Sequence, residues 1–279
     1  CINYKLLLRN ADSNSITSNK GVKKMFKFFS ANQKTEVSYD FGICPLMRKG
    51  KDGKFFALCG VDKCYSARLL NVRKNLGLKL EDLENRKSMI EYELMLVNAM
   101  ALIDPDFILR GFSFSDYMEE HEDAFLQIVN GYKGRRHIAI SKNLWIQNKV
   151  ELIQYVGSKI ELSLGFTKQL YPRFKKWFKA NRGLPFSLAY TYNNISEFEW
   201  LKNTDIELFN LVDVFHDSDI HARVPQLDKV GKTPKHQAIL DGFKRNHSAH
   251  LQALADIDGS AVKKMCNVYG DVNKVKKCR

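Results

Sequence analysis

The stretch Asn143-Leu-Trp-Ile-Gln-Asn-Lys-Val-Glu-Leu-Ile-Gln-Tyr-Val-Gly-Ser-Lys-Ile-Glu-Leu-Ser-Leu164 decides the fold class. Read as one helix, it joins a row of helices and makes the chain mainly α, with strands as small additions. Downstream, helices are expected from Lys168 to Arg182, from Ser196 to Phe215 and from Thr233 to about Ile257. Ser196-x-x-Glu199 and Thr204-x-x-Glu207 have capping-box form. Thr233-Pro234 places proline in a first helical turn, where its missing N–H is not needed. His137 to Ser141 and Ser187 to Tyr192 read as short extended pieces.

Upstream, Ile90, Leu94, Val97 and Ala101 form one stripe of a helix that begins near Leu80 and stops at Asp104-Pro105. Ser113-x-x-Asp116 resembles a capping box opening a helix with Phe114, Tyr117, Met118, Phe125 and Ile128 inward and Glu119, Glu120, Glu122 and Asp123 exposed. Ile43–Met47 and Phe55–Cys59 are apolar runs around a turn at Asp52-Gly53, the best β-hairpin in the chain. Val22 to Phe29 has an apolar helical face and a lysine face. The expected fold is therefore mainly α, or α+β with a small N-terminal β-hairpin, compact and two-lobed. Its parts are an arm and linker over 1–21, an N-terminal lobe over 22–130, a helical lobe over 131–258 and a basic tail over 259–279. No repeat of roughly 20 to 50 residues is apparent, which excludes solenoids and propellers.

The chain has 279 residues, 44% of them hydrophobic, enough for a substantial core. Lys and Arg number 44 against 31 acids, a formal charge of +13 that attracts polyanions. Six cysteines at 1, 44, 59, 64, 266 and 278 are too sparse for a disulfide scaffold, so a reducing, intracellular setting is expected, cytoplasmic or within a virion. Cys59-Gly-Val-Asp-Lys-Cys64 offers two metal ligands, but no second pair stands at zinc-finger distance, and half-buried strand cysteines are the plainer reading. No run approaches the ~20 apolar residues of a membrane span.

The most one-sided segment is Lys168 to Arg182, with six basic residues and no acid. Leu170, Phe174, Trp177 and Phe178 face inward at helical spacing, leaving Lys168, Arg173, Lys175, Lys176, Lys179 and Arg182 as a cationic band suited to phosphates. Lys133, Arg135 and Arg136 form a second cluster in a glycine-containing loop, and Tyr190 and Tyr192 are candidates for base stacking. The expected activity is non-specific coating of single-stranded RNA in the manner of a viral nucleocapsid protein, RNA being favoured over DNA, with homo-oligomers formed through the terminal arms. No catalytic residue, metal ligand or cofactor is assigned, since nucleotide-binding glycine loops, nucleophile elbows and metallohydrolase spacings are all missing. The alternatives are a metal-dependent nuclease or phosphotransfer enzyme using the Asp/His cluster at 216–221, and a basic adaptor for protein or membrane acting through Val22 to Phe29.

Overall fold

The computed structural model describes residues 26–32, 36–73, 76–145, 149–218 and 234–265. The N-terminal arm, Val22 to Met25, Asp219 to His221 of the Asp/His cluster and residues 266–279 of the expected tail lie outside these residues.

The stretch that opened the sequence reading is not one helix. It holds α6 (Val150–Gly157) and then β7 (Glu161–Phe166). In β7 the period is two: Leu162, Leu164 and Phe166 are buried on one face, while Ser163 and Gly165 occupy the other. The same correction applies across the chain. The strands β2 (Glu36–Tyr39), β5 (Ile108–Gly111), β6 (Arg136–Ser141), β7, β8 (Ser187–Tyr192) and β9 (Val214–Asp217) form a six-stranded parallel sheet, and β1 (Ser30–Asn32) adds an antiparallel edge to β2. The protein is α/β, not mainly α. The expected hairpin is present as β3 (Met47–Lys49) and β4 (Phe55–Ala57), turned through Gly53 at φ +77, but it stands apart from the main sheet. β6, at the start of the part read as a helical lobe, pairs with β5 on one side and β7 on the other.

Between the parallel strands run α1 (Tyr65–Val72), α2 (Leu76–Glu81), α3 (Leu83–Lys87) and α4 (Ile90–Ile103), then α5 (Glu122–Gly131), α6, α7 (Tyr171–Ala180), α8 (Ile195–Thr204) and α9 (Ile206–Leu211), with α10 (Pro234–Val262, broken at Asp258) after β9. The parallel strands follow one another in space in chain order. Right-handed crossovers without a reversal of order put the connecting helices on one face of the sheet. This is the winding of a (βα) barrel carried through six strands and left open.

The two faces differ accordingly. Val37, Tyr39, Leu109, Leu164, Phe166, Tyr190 and Phe215 share one core with Leu94 and Val97 of α4, Ile128 of α5, Val156 of α6, Phe174 of α7 and Phe198 of α8. Phe166 stacks on Phe174 at 4.5 Å. Burial of each such large side chain contributes about 1.5 to 3 kcal/mol. Ile138 and Ala189 are also buried, yet they lie outside this core, on the opposite face. By register that second face carries Ser38, Arg110, Ile140, Ser163, Gly165, Ser187, Thr191 and His216, mostly small or polar side chains.

Several expected helix starts move. Asn194, not Ser196, caps α8, its side chain accepting from Glu197 N–H at 3.0 Å. Asp205, not Thr204, caps α9. Ser113 opens no helix, because it and Ser115 bind Asp40 and α5 starts at Glu122. Buried Glu93 of α4 accepts three backbone N–H groups, from Lys27, Phe28 and Phe29, at 2.6 to 2.9 Å, and so fastens the entry to β1 onto the helix layer.

Candidate functional site

The residues singled out in the sequence do not converge on one groove. Arg136 opens β6 and is held by both oxygens of Glu161 at 2.8 and 2.7 Å. Lys133 and Arg135 are exposed in the loop before it. On α7, Leu170, Phe174 and Phe178 are buried as expected and Trp177 is half-buried. Lys175 binds Asp205 at 2.8 Å and Arg182 binds Glu207 at 2.7 Å, while Lys168 lies over the Trp200 ring. Arg173, Lys176 and Lys179 remain as an exposed ridge. Tyr190 and Tyr192 are 0% exposed, with hydroxyls on the Glu197 carbonyl and on His250 Nε2, so neither ring has a face for a base. This corrects their assignment as stacking residues: period-two burial in a strand covered by helices outweighs the exposure expected of tyrosine. Of the late Asp/His cluster, Asp217 ends β9 and accepts from His250 at 2.9 Å in a buried contact. Among the described residues no group of three or more His, Cys, Asp or Glu stands at the spacing of a single metal ion.

Polar chemistry gathers instead at the carboxyl ends of the strands. Asp40, just past β2, accepts from Phe114 N, Ser115 N and Ser113 Oγ, each at 2.7 Å, and from Ser115 Oγ at 3.1 Å. Burial raises its pKa against the pull of these donors. Asp116 accepts from Tyr117 N at 2.7 Å, Ser141 Oγ at 2.5 Å and Lys142 N at 2.8 Å, again with its pKa raised by burial. These two carboxylates lace the loop after β5 to the ends of β2 and β6. Phe112, in that loop, holds φ 57, a left-handed conformation whose cost of about 1 to 3 kcal/mol persists only where the surroundings enforce it.

A strap crosses this end of the sheet. Thr167, past β7, donates to the Cys59 carbonyl, and Asn193, past β8, donates to the Gly60 carbonyl at 2.8 Å and accepts from Asp62 N–H at 2.9 Å. Ser66 of α1 donates to the Phe114 carbonyl. The strap at Cys59–Ser66 is thus pinned to the loops after β5, β7 and β8. It carries Cys59 and Cys64, with Cys44 nearby at the base of the β3–β4 hairpin. Burial pushes the Cys59 thiol up against the opposing charge of Lys142, and burial followed by the Asp116 carboxylate pushes Cys44 up.

Among the described residues, the polar face of the sheet holds two cations besides Arg136, which Glu161 engages. The Lys142 stem lies over Gly165, where an added Cβ would come within 3.0 Å of its Cγ. Arg110 sits between Ser38 and Ile138 across the strands and is half-buried. Its Nε is buried without a hydrogen-bond partner, and its guanidinium meets no carboxylate among the described residues. By strand rise the two positions are about 13 Å apart along the sheet, with long side chains between them. Neither was found in the sequence. The signal for Arg110 was available, as the one charge inside the apolar run Phe107-Ile-Leu-Arg-Gly-Phe112.

No family model, curated protein or solved structure matches the chain.

Proposed function

We propose that this chain binds a phosphate-bearing ligand on the polar face of its open barrel, under the strap at the carboxyl ends of the strands. The observation that carries this reading is Arg110: a guanidinium half-buried on a face of small hydroxyl side chains, its Nε unpaired. Buried donors are nearly always paired, and the planar fork of arginine matches phosphate oxygens. Ser38, Ser163, Ser187 and Thr191 line the same face, and Lys142 supplies a second positive charge nearer the mouth. The carboxyl ends of the strands are also where barrels of this winding place their working loops.

The test is thermal unfolding with and without inorganic pyrophosphate and a panel of mononucleotides. At a hundredfold excess over Kd, a ligand bound only by the folded chain raises Tm by about 5 to 10 °C. No shift with any phosphate compound would contradict the reading.

A second reading has its own observation. Arg173, Lys176 and Lys179 recur along α7 as an exposed cationic ridge, which together with the +13 charge supports coating of single-stranded RNA. It loses base stacking on Tyr190 and Tyr192, and three of its cations, Arg136, Lys175 and Arg182, are engaged with carboxylates.

A further inference from the structure

α4 carries apolar side chains on both of its sides. Ile90, Glu93, Leu94, Val97 and Ala101 form the buried side. On the opposite side Tyr92, Met95, Leu102 and Ile103 are exposed, Leu102 at 86% and Ile103 at 61%, with half-buried Leu96 and Ala99 between them. At 3.6 residues per turn these side chains fall in one band about 120° wide and roughly 16 Å long. A helix packed on a sheet ordinarily turns polar side chains outward, and on α4 the only charge outside the buried side is Glu91, at the edge of the band. A continuous apolar stripe of this kind marks an interaction surface. One flank of the stripe is charged. Asn98 donates through Nδ2 to the Gly131 carbonyl at 2.9 Å and accepts from Lys133 N–H at 2.8 Å, and Gly134 lies against Ala101. The loop with exposed Lys133 and Arg135 therefore runs beside the carboxyl half of α4. Glu91 stands two turns before Asn98 on that same flank, so acid and base occupy its two ends.

We infer that a second copy of this chain covers the stripe, the two α4 helices packing antiparallel about a two-fold axis near Val97. A two-fold contact sets a surface against itself with its direction reversed, so residues whose numbers average about 97 meet. Tyr92 then meets Leu102 and Ile103, and Met95 meets Ala99, which sets a large side chain against a small one at the centre. The charged flank is reversed in the same way, which places Glu91 of each copy beside Lys133 and Arg135 of the other, twice over. A parallel pairing would instead set Glu91 against Glu91 and the basic loop against itself. An anionic membrane lying on the stripe would meet the Glu91 carboxylate with repulsion. Charge therefore favours a reversed second copy. One helix stripe with its flanking charges makes a contact below about 1,200 Å², the class of weak and transient interfaces, so the dimer forms at micromolar concentrations and above. This surface lies on the outer side of the helix layer and is independent of whether Arg110 takes an anion.

The experiment is sedimentation velocity of the full chain over a range of concentrations, with the charge pattern tested by exchange. The parent should pass from monomer to dimer as concentration rises. Leu102→Lys should stay monomeric where the parent is mostly dimer, with an unchanged Tm, because that side chain is exposed. Glu91→Lys, and separately Lys133→Glu with Arg135→Glu, should each weaken the dimer by roughly five- to thirtyfold, since each change counts twice across the axis. Combining all three substitutions should restore dimerisation to near the parent level, a recovery that general loss of stability cannot produce. A parent that stays monomeric at every concentration would overturn the inference, whether the stripe is then covered by the chain's own amino-terminal segment, another protein or a lipid surface. So would a dimer indifferent to Leu102→Lys, or a combined variant that dimerises no better than its two components. Pyrophosphate binding should be the same in Leu102→Lys as in the parent, so failure here and failure of the anion site are read separately.

Discussion

Arg110 and His137 lie one register step apart on opposite faces of the sheet and show what each face asks of a polar residue. His137 is on the helix-covered side, 5% exposed, with Nε2 2.8 Å from the Tyr39 hydroxyl and Nδ1 without a partner. Burial lowers its pKa from 6.5 to about 3, so the folded chain keeps the ring neutral. The unfolded chain takes up a proton below 6.5 and the folded one does not. The stability that this ring confers is therefore complete above pH 6.5 and is lost as pH falls from 6.5 toward about 3, with a slope of at most about 1.4 kcal/mol per pH unit. Urea unfolding over that range should show a shallower acid slope for His137→Gln than for the parent, and equal slopes would contradict a buried neutral imidazole. Arg110 carries its charge on the second face, half-buried beside Ser38 and Ile138. Both residues were legible as polar positions in apolar strands. Their roles were not, because period two alone does not say which face the helices cover.

At the scale of elements, Gly157 marks the boundary that the sequence reading passed over. It ends α6, and an added Cβ there would fall 1.9 Å from the Pro185 carbonyl oxygen, a backbone atom that cannot step aside. Gly157→Ala should cost more than about 2 kcal/mol by forcing the approach to β8 apart. Denaturant midpoints measure this, and a change below about 0.5 kcal/mol would mean the contact is loose. The signals around it were present: Gly157-Ser158 as a break, then Leu162, Leu164 and Phe166 alternating with Ser163 and Gly165. They were hidden because parallel strands are short and flanked by apolar helices, so helix and strand merge into one hydrophobic run. The β3–β4 hairpin was legible because its turn is chemical, Asp52-Gly53, rather than tertiary. The strap from Cys59 to Ser66 was legible only as a pair of cysteines.

For the whole molecule, the surplus of positive charge no longer describes one surface. Some of it is spent within the chain, in Arg136–Glu161, Lys175–Asp205 and Arg182–Glu207. Some forms the ridge of Arg173, Lys176 and Lys179 on the outer helix layer, and some stands at Arg110 and Lys142 on the inner face. Among the described residues no helix is long and apolar enough to cross a membrane. The charge total was legible from composition, whereas its division between an outer ridge and the second face of the sheet depends on the fold. The two functional readings divide along that line.

Titration of pyrophosphate and of a single-stranded RNA oligomer into the parent chain, Arg110→Ala and the double variant Lys176→Ala with Lys179→Ala separates them most directly. Loss of a charge-assisted phosphate contact of about 1.5 to 3 kcal/mol weakens binding by roughly ten- to a hundredfold. The open-barrel account predicts that loss for pyrophosphate in Arg110→Ala, with the outer double variant unchanged. Pyrophosphate binding untouched in Arg110→Ala, together with RNA binding lost in the outer double variant, would contradict it.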